Sequence, residues 1–140
     1  MKFYRLYTIF SCLLMTCFIN IPARADAMTI TTCDFVSLKS TIESINMVGG
    51  GEISFDCAGR IRFTETLKIE SDITINGRDG VILDGYGVFT LFEVTGFIAS
   101  NEPLGILTLH AVTIQNGWTA IKNNGVLTIT DSQFHDNQAN

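Results

Sequence analysis

Four cysteines, two histidines and 14 carboxylates are the side chains from which reactivity would have to be built in this 140-residue chain. Polysaccharide hydrolysis needs two carboxylates facing each other across the scissile bond, about 5–9.5 Å apart. The acids Asp56, Glu65, Glu70, Asp72, Asp79, Asp84, Glu93 and Asp131 are instead scattered singly. No Asp-Asp or His-Gly pair brings two of these groups together, and most of the acids read as solvated turn formers. His110 and His135 are distant from each other and each reads as a surface residue. Cys33 and Cys57, the two cysteines outside the first 25 residues, and these two distant histidines are not expected to gather into the roughly four-ligand shell a zinc site requires. A phosphate-cradling Gly-rich loop, a G-x-S-x-G elbow, an H-E-x-x-H helix and a calcium-binding nonapeptide repeat are all absent. No catalytic residue, metal or cofactor is therefore expected. Trp118, the single tryptophan, follows a turn and suits either a sugar-stacking platform or a packed corner, the corner being preferred.

The first residues point outside the cell. Lys2 and Arg5 precede an apolar stretch from about Ile9 to Ile21, and Ala23-Arg24-Ala25 follows Pro22. A basic start, a short apolar core and an A-x-A site make up a secretory signal. The apolar run is shorter than the roughly 20 residues of a spanning helix, and Thr16 before Cys17 argues against lipidation. Residues 1–25 are thus expected to be a signal peptide, and the protein to be secreted or held at the cell surface. Cleavage would remove Lys2, Arg5 and Arg24 from the nine basic residues. Six would remain against all 14 acids, a net charge of −8. Such a balance disfavours nucleic acid and anionic membrane surfaces as partners. Only Cys33 and Cys57 remain after cleavage. An even pair in an oxidising compartment is expected to form a disulfide, and two reduced, buried thiols are the alternative.

The elements that must carry these residues announce themselves by repetition. Gly105-Ile106-Leu107-Thr108-Leu109 recurs one interval later as Gly125-Val126-Leu127-Thr128-Ile129, and the same shift maps Ile114 on Phe134. Ile53-Ser54-Phe55 and Ile73-Thr74-Ile75 are separated by that interval again. Alternate residues of a strand face opposite ways. Stacking these segments therefore puts Ile, Leu and Phe inside and Ser54, Thr74, Thr108 and Thr128 in an outer hydroxyl ladder. Further short strands follow in each unit, divided by Asn-Gly and Asp-Gly turns. The fold expected is all-β: a right-handed parallel β-helix of about four coils over residues 52–140, with an N-terminal capping α-helix. An antiparallel sandwich or meander is the competitor, but it has no reason to repeat its in/out pattern at a fixed interval. The step from Ile73 to Leu107 is much longer than the other two, so an inserted loop is expected at 95–105.

Residues 26–51 read as the cap. Phe35, Leu38, Ile42 and Ile45 recur at helical spacing, Asp34 suits an N-cap, and Gly49-Gly50-Gly51 ends the run. A solenoid needs such cover over its open end. At the other end no second amphipathic helix follows Val126–Asn137. The last coil is therefore expected to be an open edge, so that the chain is a fragment or self-associates there.

These features together resemble the polymorphic outer membrane protein repeats and their adhesin-like β-helix relatives. The Cys-Ser-Leu-Arg-Glu-Ala-Ile segment of that family is matched by Cys33 followed by Ser37-Leu38-Lys39-Ser40-Thr41-Ile42, with three residues inserted after the cysteine and Ser-Thr for Glu-Ala. The family's first coil resembles Ile53-Ser54-Phe55-Asp56-Cys57. Its F-x-x-N element is matched by Phe134-His135-Asp136-Asn137, and its G-G-A-I loosely by Trp118-Thr119-Ala120-Ile121. The resemblance spans nearly all of 33–137. It implies an exported, non-catalytic surface or interaction module, adhesin- or passenger-like, whose partner is a surface ligand, protein or polysaccharide. The alternative is the N-terminal fragment of a carbohydrate-active β-helix enzyme, a polysaccharide lyase or hydrolase. Ile82-Leu83-Asp84-Gly85-Tyr86-Gly87 resembles an early structural turn of pectin-degrading hydrolases.

Overall fold

The computed structural model describes residues 27–96 and 104–138. The signal peptide expected at 1–25 and most of the expected loop at 95–105 lie outside the described residues. Strands make up 54% of the described residues and helix 13%, arranged as a curled parallel sheet with one helix. The elements are β1 (Met28–Ile30), α1 (Phe35–Val48), β2 (Gly50–Phe55), β3 (Gly59–Arg62), β4 (Leu67–Ile69), β5 (Asp72–Asp84), β6 (Thr90–Val94), β7 (Ile106–Gln115), β8 (Thr119–Asn123), β9 (Val126–Thr130) and β10 (Gln133–His135).

Every pairing among the described strands is parallel, which removes the antiparallel sandwich. The larger sheet runs β1-β2-β5-β7. Strand β3 lies on the second half of β5, and β9 and β10 lie on the first and second halves of β7. A smaller sheet stacks β4, β6 and β8. The long strands bend where one half ends. β5 is irregular between Asn76 and Val81, and β7 turns at Ala111, whose φ is 52°.

The step between the last two units is as expected: Leu107 pairs with Leu127 and Ile114 with Phe134. The long step from Ile73 to Leu107 also holds. Its inserted segment is clasped at the base, where Gly105 N–H donates to Thr95 O at 2.9 Å. The first step differs from expectation. Ile53 pairs with Ile75, not Ile73, so that step is longer by one in/out repeat. Such a slip leaves the alternation of faces intact, so side-chain pattern alone does not separate the two registers.

Apolar columns follow from these registers. Ile53, Ile75, Leu109 and Ile129 form one, Ile61, Leu83, Ile114 and Phe134 a second, and Leu67, Phe92 and Ile121 a third. In the first two columns the upper three members are buried, whereas Ile129 and Phe134 in the last layer are 42% and 39% exposed. In the third, Leu67 and Phe92 are buried and Ile121 is half-buried. The outer face carries Glu52, Thr74, Thr108 and Thr128 in one column and Thr29, Ser54, Asn76, His110 and Thr130 in the next. Ser54 is less open than expected, because β1 pairs along β2 and Thr29 Oγ1 meets Ser54 Oγ at 3.1 Å.

The helix forms where periodicity predicts it. Asp34 Oδ1 accepts from Ser37 N–H at 2.8 Å, and Gly49 closes the helix at φ 91°. Leu38, Ile42 and Ile45 are buried in the core, and the Phe35 ring meets Phe63 at 5.3 Å. Asn46 clips the helix to the corner between β4 and β5: its Nδ2 donates to Lys68 O, and its Oδ1 accepts from Glu70 N–H and Ser71 Oγ. A Cys33–Cys57 disulfide joins the start of this layer to the end of β2. No helix among the described residues is long and apolar enough to cross a membrane.

Candidate functional site

The sequence-predicted residues separate into structural and surface groups. The paired Cys33 and Cys57 staple the helical layer to β2. His110 stands on the outer face opposite Thr130, with Nδ1 at 3.0 Å from Thr130 Oγ1 and 3.3 Å from Asp131 Oδ2. His135 pairs with the adjacent Asp136 at 2.9 Å. Among the described residues no group of three His, Cys, Asp or Glu side chains is placed to hold a metal ion. Trp118 is 47% exposed rather than packed into its corner, and its backbone N–H donates to Phe89 O.

One carboxylate stands apart. Asp84 ends β5 and is only 1% exposed. Its Oδ1 accepts from Tyr86 N–H at 2.9 Å and from Asn116 Nδ2 at 3.3 Å. Its Oδ2 accepts from Gln115 Nε2 at 3.1 Å and meets Arg60 Nη1 at 3.0 Å. Burial pushes this carboxyl up. The hydrogen bonds from Tyr86, Gln115 and Asn116 and the Arg60 charge outweigh it, holding Asp84 below the usual carboxylate range. Both oxygens are thus committed to neighbours. Asp84 joins three layers: Arg60 and Arg62 on β3 above, its own turn, and Gln115-Asn116 below.

Around Asp84 the corner opens into a cleft of about 360 Å³. Arg60 and Arg62 form its upper wall, Tyr86 and Gly87 one side, and Asn116, Asp136 and Gln138 its lower part. Alternation along β3 puts both arginines on the outer side, while Ile61 between them is buried. The Arg62 guanidinium carbon sits 5.3 Å from the Tyr86 ring centroid. Tyr86 is 64% exposed and adopts φ 54°. The corners of the next two layers use Asn116 (φ 50°) and Asp136 (φ 56°). Short polar side chains tolerate that left-handed region, while a bulky ring is disfavoured there by about 1–2 kcal/mol.

The same corner explains Asn137, the asparagine of the F-x-x-N element. Gln115 pairs with His135, so Asn116 stands over Asp136 and Gly117 over Asn137. Asn137 Oδ1 accepts from Gly117 N–H at 2.8 Å and its Nδ2 donates to Ile114 O at 3.1 Å, fastening the last layer to the one before. Gly85 is required by close approach: a Cβ there would lie 2.6 Å from Gly117 Cα and 2.8 Å from Asn116 O.

Sequence reasoning takes Ile82–Gly87 as a structural turn and passes over Arg60, Arg62 and Tyr86. The signal available is the alternation Arg60-Ile61-Arg62-Phe63 one layer before Asp84, legible only once β3 is set against the second half of β5. Comparison with known proteins adds nothing to this geometry: no family model, no curated protein and no solved structure matches the chain.

Proposed function

We propose that the chain is an exported surface or interaction module built as a right-handed parallel β-helix of about four coils, of the kind found in adhesin- and passenger-type proteins. Residues 1–25 export it, the helical layer and the disulfide protect its first coil, and the corner cleft at Asp84 receives its ligand. The observation that carries this reading is the state of Asp84. The deepest carboxylate of the cleft has both oxygens occupied by four partners and is held ionised, which suits a scaffold and not a general acid or nucleophile. Its neighbours Arg62 and Tyr86 stand at the rim, where the exposed tyrosine is free to touch a ligand. A carbohydrate-active enzyme is the weaker alternative, since it would need this carboxylate unencumbered.

Purified, oxidised protein incubated with a panel of polysaccharides and extracellular proteins tests the reading. Saturable binding without loss of polymer length is expected. Depolymerisation that disappears in Asp84→Asn would replace the proposal with the enzyme.

A further inference from the structure

Resting on that reading of the cleft, we infer that its ligand is a sugar bearing a single carboxylate per bound unit, a hexuronic acid within an oligosaccharide. Arg60 is already neutralised by Asp84 at 3.0 Å. Arg62 has no carboxylate within salt-bridge distance among the described residues, and its guanidinium lies beside the Tyr86 ring. One uncompensated guanidinium in the cleft is matched by one carboxylate, which it engages in a planar, two-pronged geometry. A second anionic group would meet Asp136 at the lower rim, and the net charge of −8 left after removal of residues 1–25 opposes densely charged polymers.

The remaining surfaces suit hydroxyls and a sugar ring. Asn116, Asp136 and Gln138 supply side-chain donors and acceptors across the floor, a mixture that pairs with sugar hydroxyls of either polarity. Arg62 covers part of the Tyr86 ring, and the residue's exposure leaves ring surface for the C–H face of a pyranose. The conformation of Tyr86 supports a role in binding. The two corners below place Asn116 and Asp136 in the same left-handed region, so a polar residue would seat there with less strain. An exposed aromatic ring at a position unfavourable to it contributes little to folding and much to contact.

Titration calorimetry on the oxidised exported protein decides the matter, with three probes: a hexuronate trimer, the neutral hexose trimer of equal length, and a short polyglutamate peptide. Arg62→Ala, Arg62→Lys and Tyr86→Asn are compared with the wild type. The hexuronate should bind at least tenfold more tightly than the neutral trimer. Arg62→Ala and Tyr86→Asn should each lose tenfold or more, Arg62→Lys less, and Tyr86→Asn should melt no lower than the wild type. Equal, Tyr86-dependent binding of charged and neutral trimers would overturn carboxylate recognition and leave the cleft as the site. Polyglutamate binding as tightly as hexuronate, indifferent to Tyr86, would assign the cleft to acidic peptides instead. Binding of no probe, or binding unchanged by all three variants, would overturn both the ligand class and the cleft.

Discussion

Truncating Leu109 should cost far more than altering its neighbour Thr108, and more than the same truncation one layer later at Ile129. Leu109 is fully buried, stacked between Ile75 and Ile129 in the inner column. Thr108 stands between Thr74 and Thr128 on the outer face. Leu109→Ala removes the transfer free energy of the lost atoms and leaves a cavity that a closely packed stack fills only in part, about 2–5 kcal/mol together. Ile129 is 42% exposed, so its truncation forfeits only part of that burial and opens no closed cavity, about 1 kcal/mol. Thr108→Asp puts a charge in water beside two hydroxyls, and its cost stays within about 1 kcal/mol. Leu109→Asp places an unpaired charge among Ile and Leu side chains. That penalty of several kcal/mol approaches the whole stability of a small domain, about 5–15 kcal/mol. At roughly 4 °C per kcal/mol for a chain of this size, thermal melts followed by circular dichroism should fall about 8–20 °C for Leu109→Ala. The fall should be about 4 °C or less for Ile129→Ala and Thr108→Asp, while Leu109→Asp gives no folded protein. Equal shifts for Leu109→Ala and Ile129→Ala, or for Leu109→Asp and Thr108→Asp, would refute the stacked columns.

The lowered Asp84 carboxyl stabilises the fold at pH values above its unfolded value of about 3.9, and that contribution is lost as pH falls through the lower folded value. Asp84→Asn should therefore be less stable at neutral pH, by about 1–3 kcal/mol, with the gap closing in acid. Because Asp34 and Glu93 are also held low, a gap that stays constant from neutral pH into strong acid is the result that sinks the assignment. Exported protein should begin at Asp26 and gain two mass units on reduction. Opening the Cys33–Cys57 link should remove about 3 kcal/mol of stability, and two free thiols in exported material would contradict it. The uncovered Ile129 and Phe134 should drive concentration-dependent association, weakened by Phe134→Lys. A monomer by light scattering at every dilution would count against it.

Much of the fold was legible because a parallel stack repeats its chemistry layer by layer. Leu107-Thr108-Leu109 and Leu127-Thr128-Ile129 carry the same alternation at the same interval and pair as that interval predicts. The helix was legible from Asp34, its apolar spacing and Gly49, since capping and amphipathicity are local properties. The register of the first step was not. Ile73 and Ile75 face the same way, so the alternation offers either as the partner of Ile53, and only the pairing decides between them. Strand β1 escaped notice because Met28-Thr29-Ile30 carries too little periodicity to rise above a loop.

The cleft escaped for a related reason, and that reason bears on how such a site is assembled. Its residues come from separate layers of the stack: Arg62 on β3, Asp84 and Tyr86 at the next corner, Asn116 below, Asp136 at the last. No two layers contribute to a common sequence motif. The site exists because successive corners lie over one another, about 4.8 Å apart per layer, so that side chains far apart in the chain meet at one edge of the stack. Asp84 at the centre binds upward to Arg60 and downward to Gln115 and Asn116, so the residue that fixes the stacking of three corners also fixes the arrangement of the cleft wall. Removing its charge should then disturb ligand binding and stability together, while changes at the Tyr86 ring should touch binding alone. That separation divides the scaffold of the corner from its contact surface.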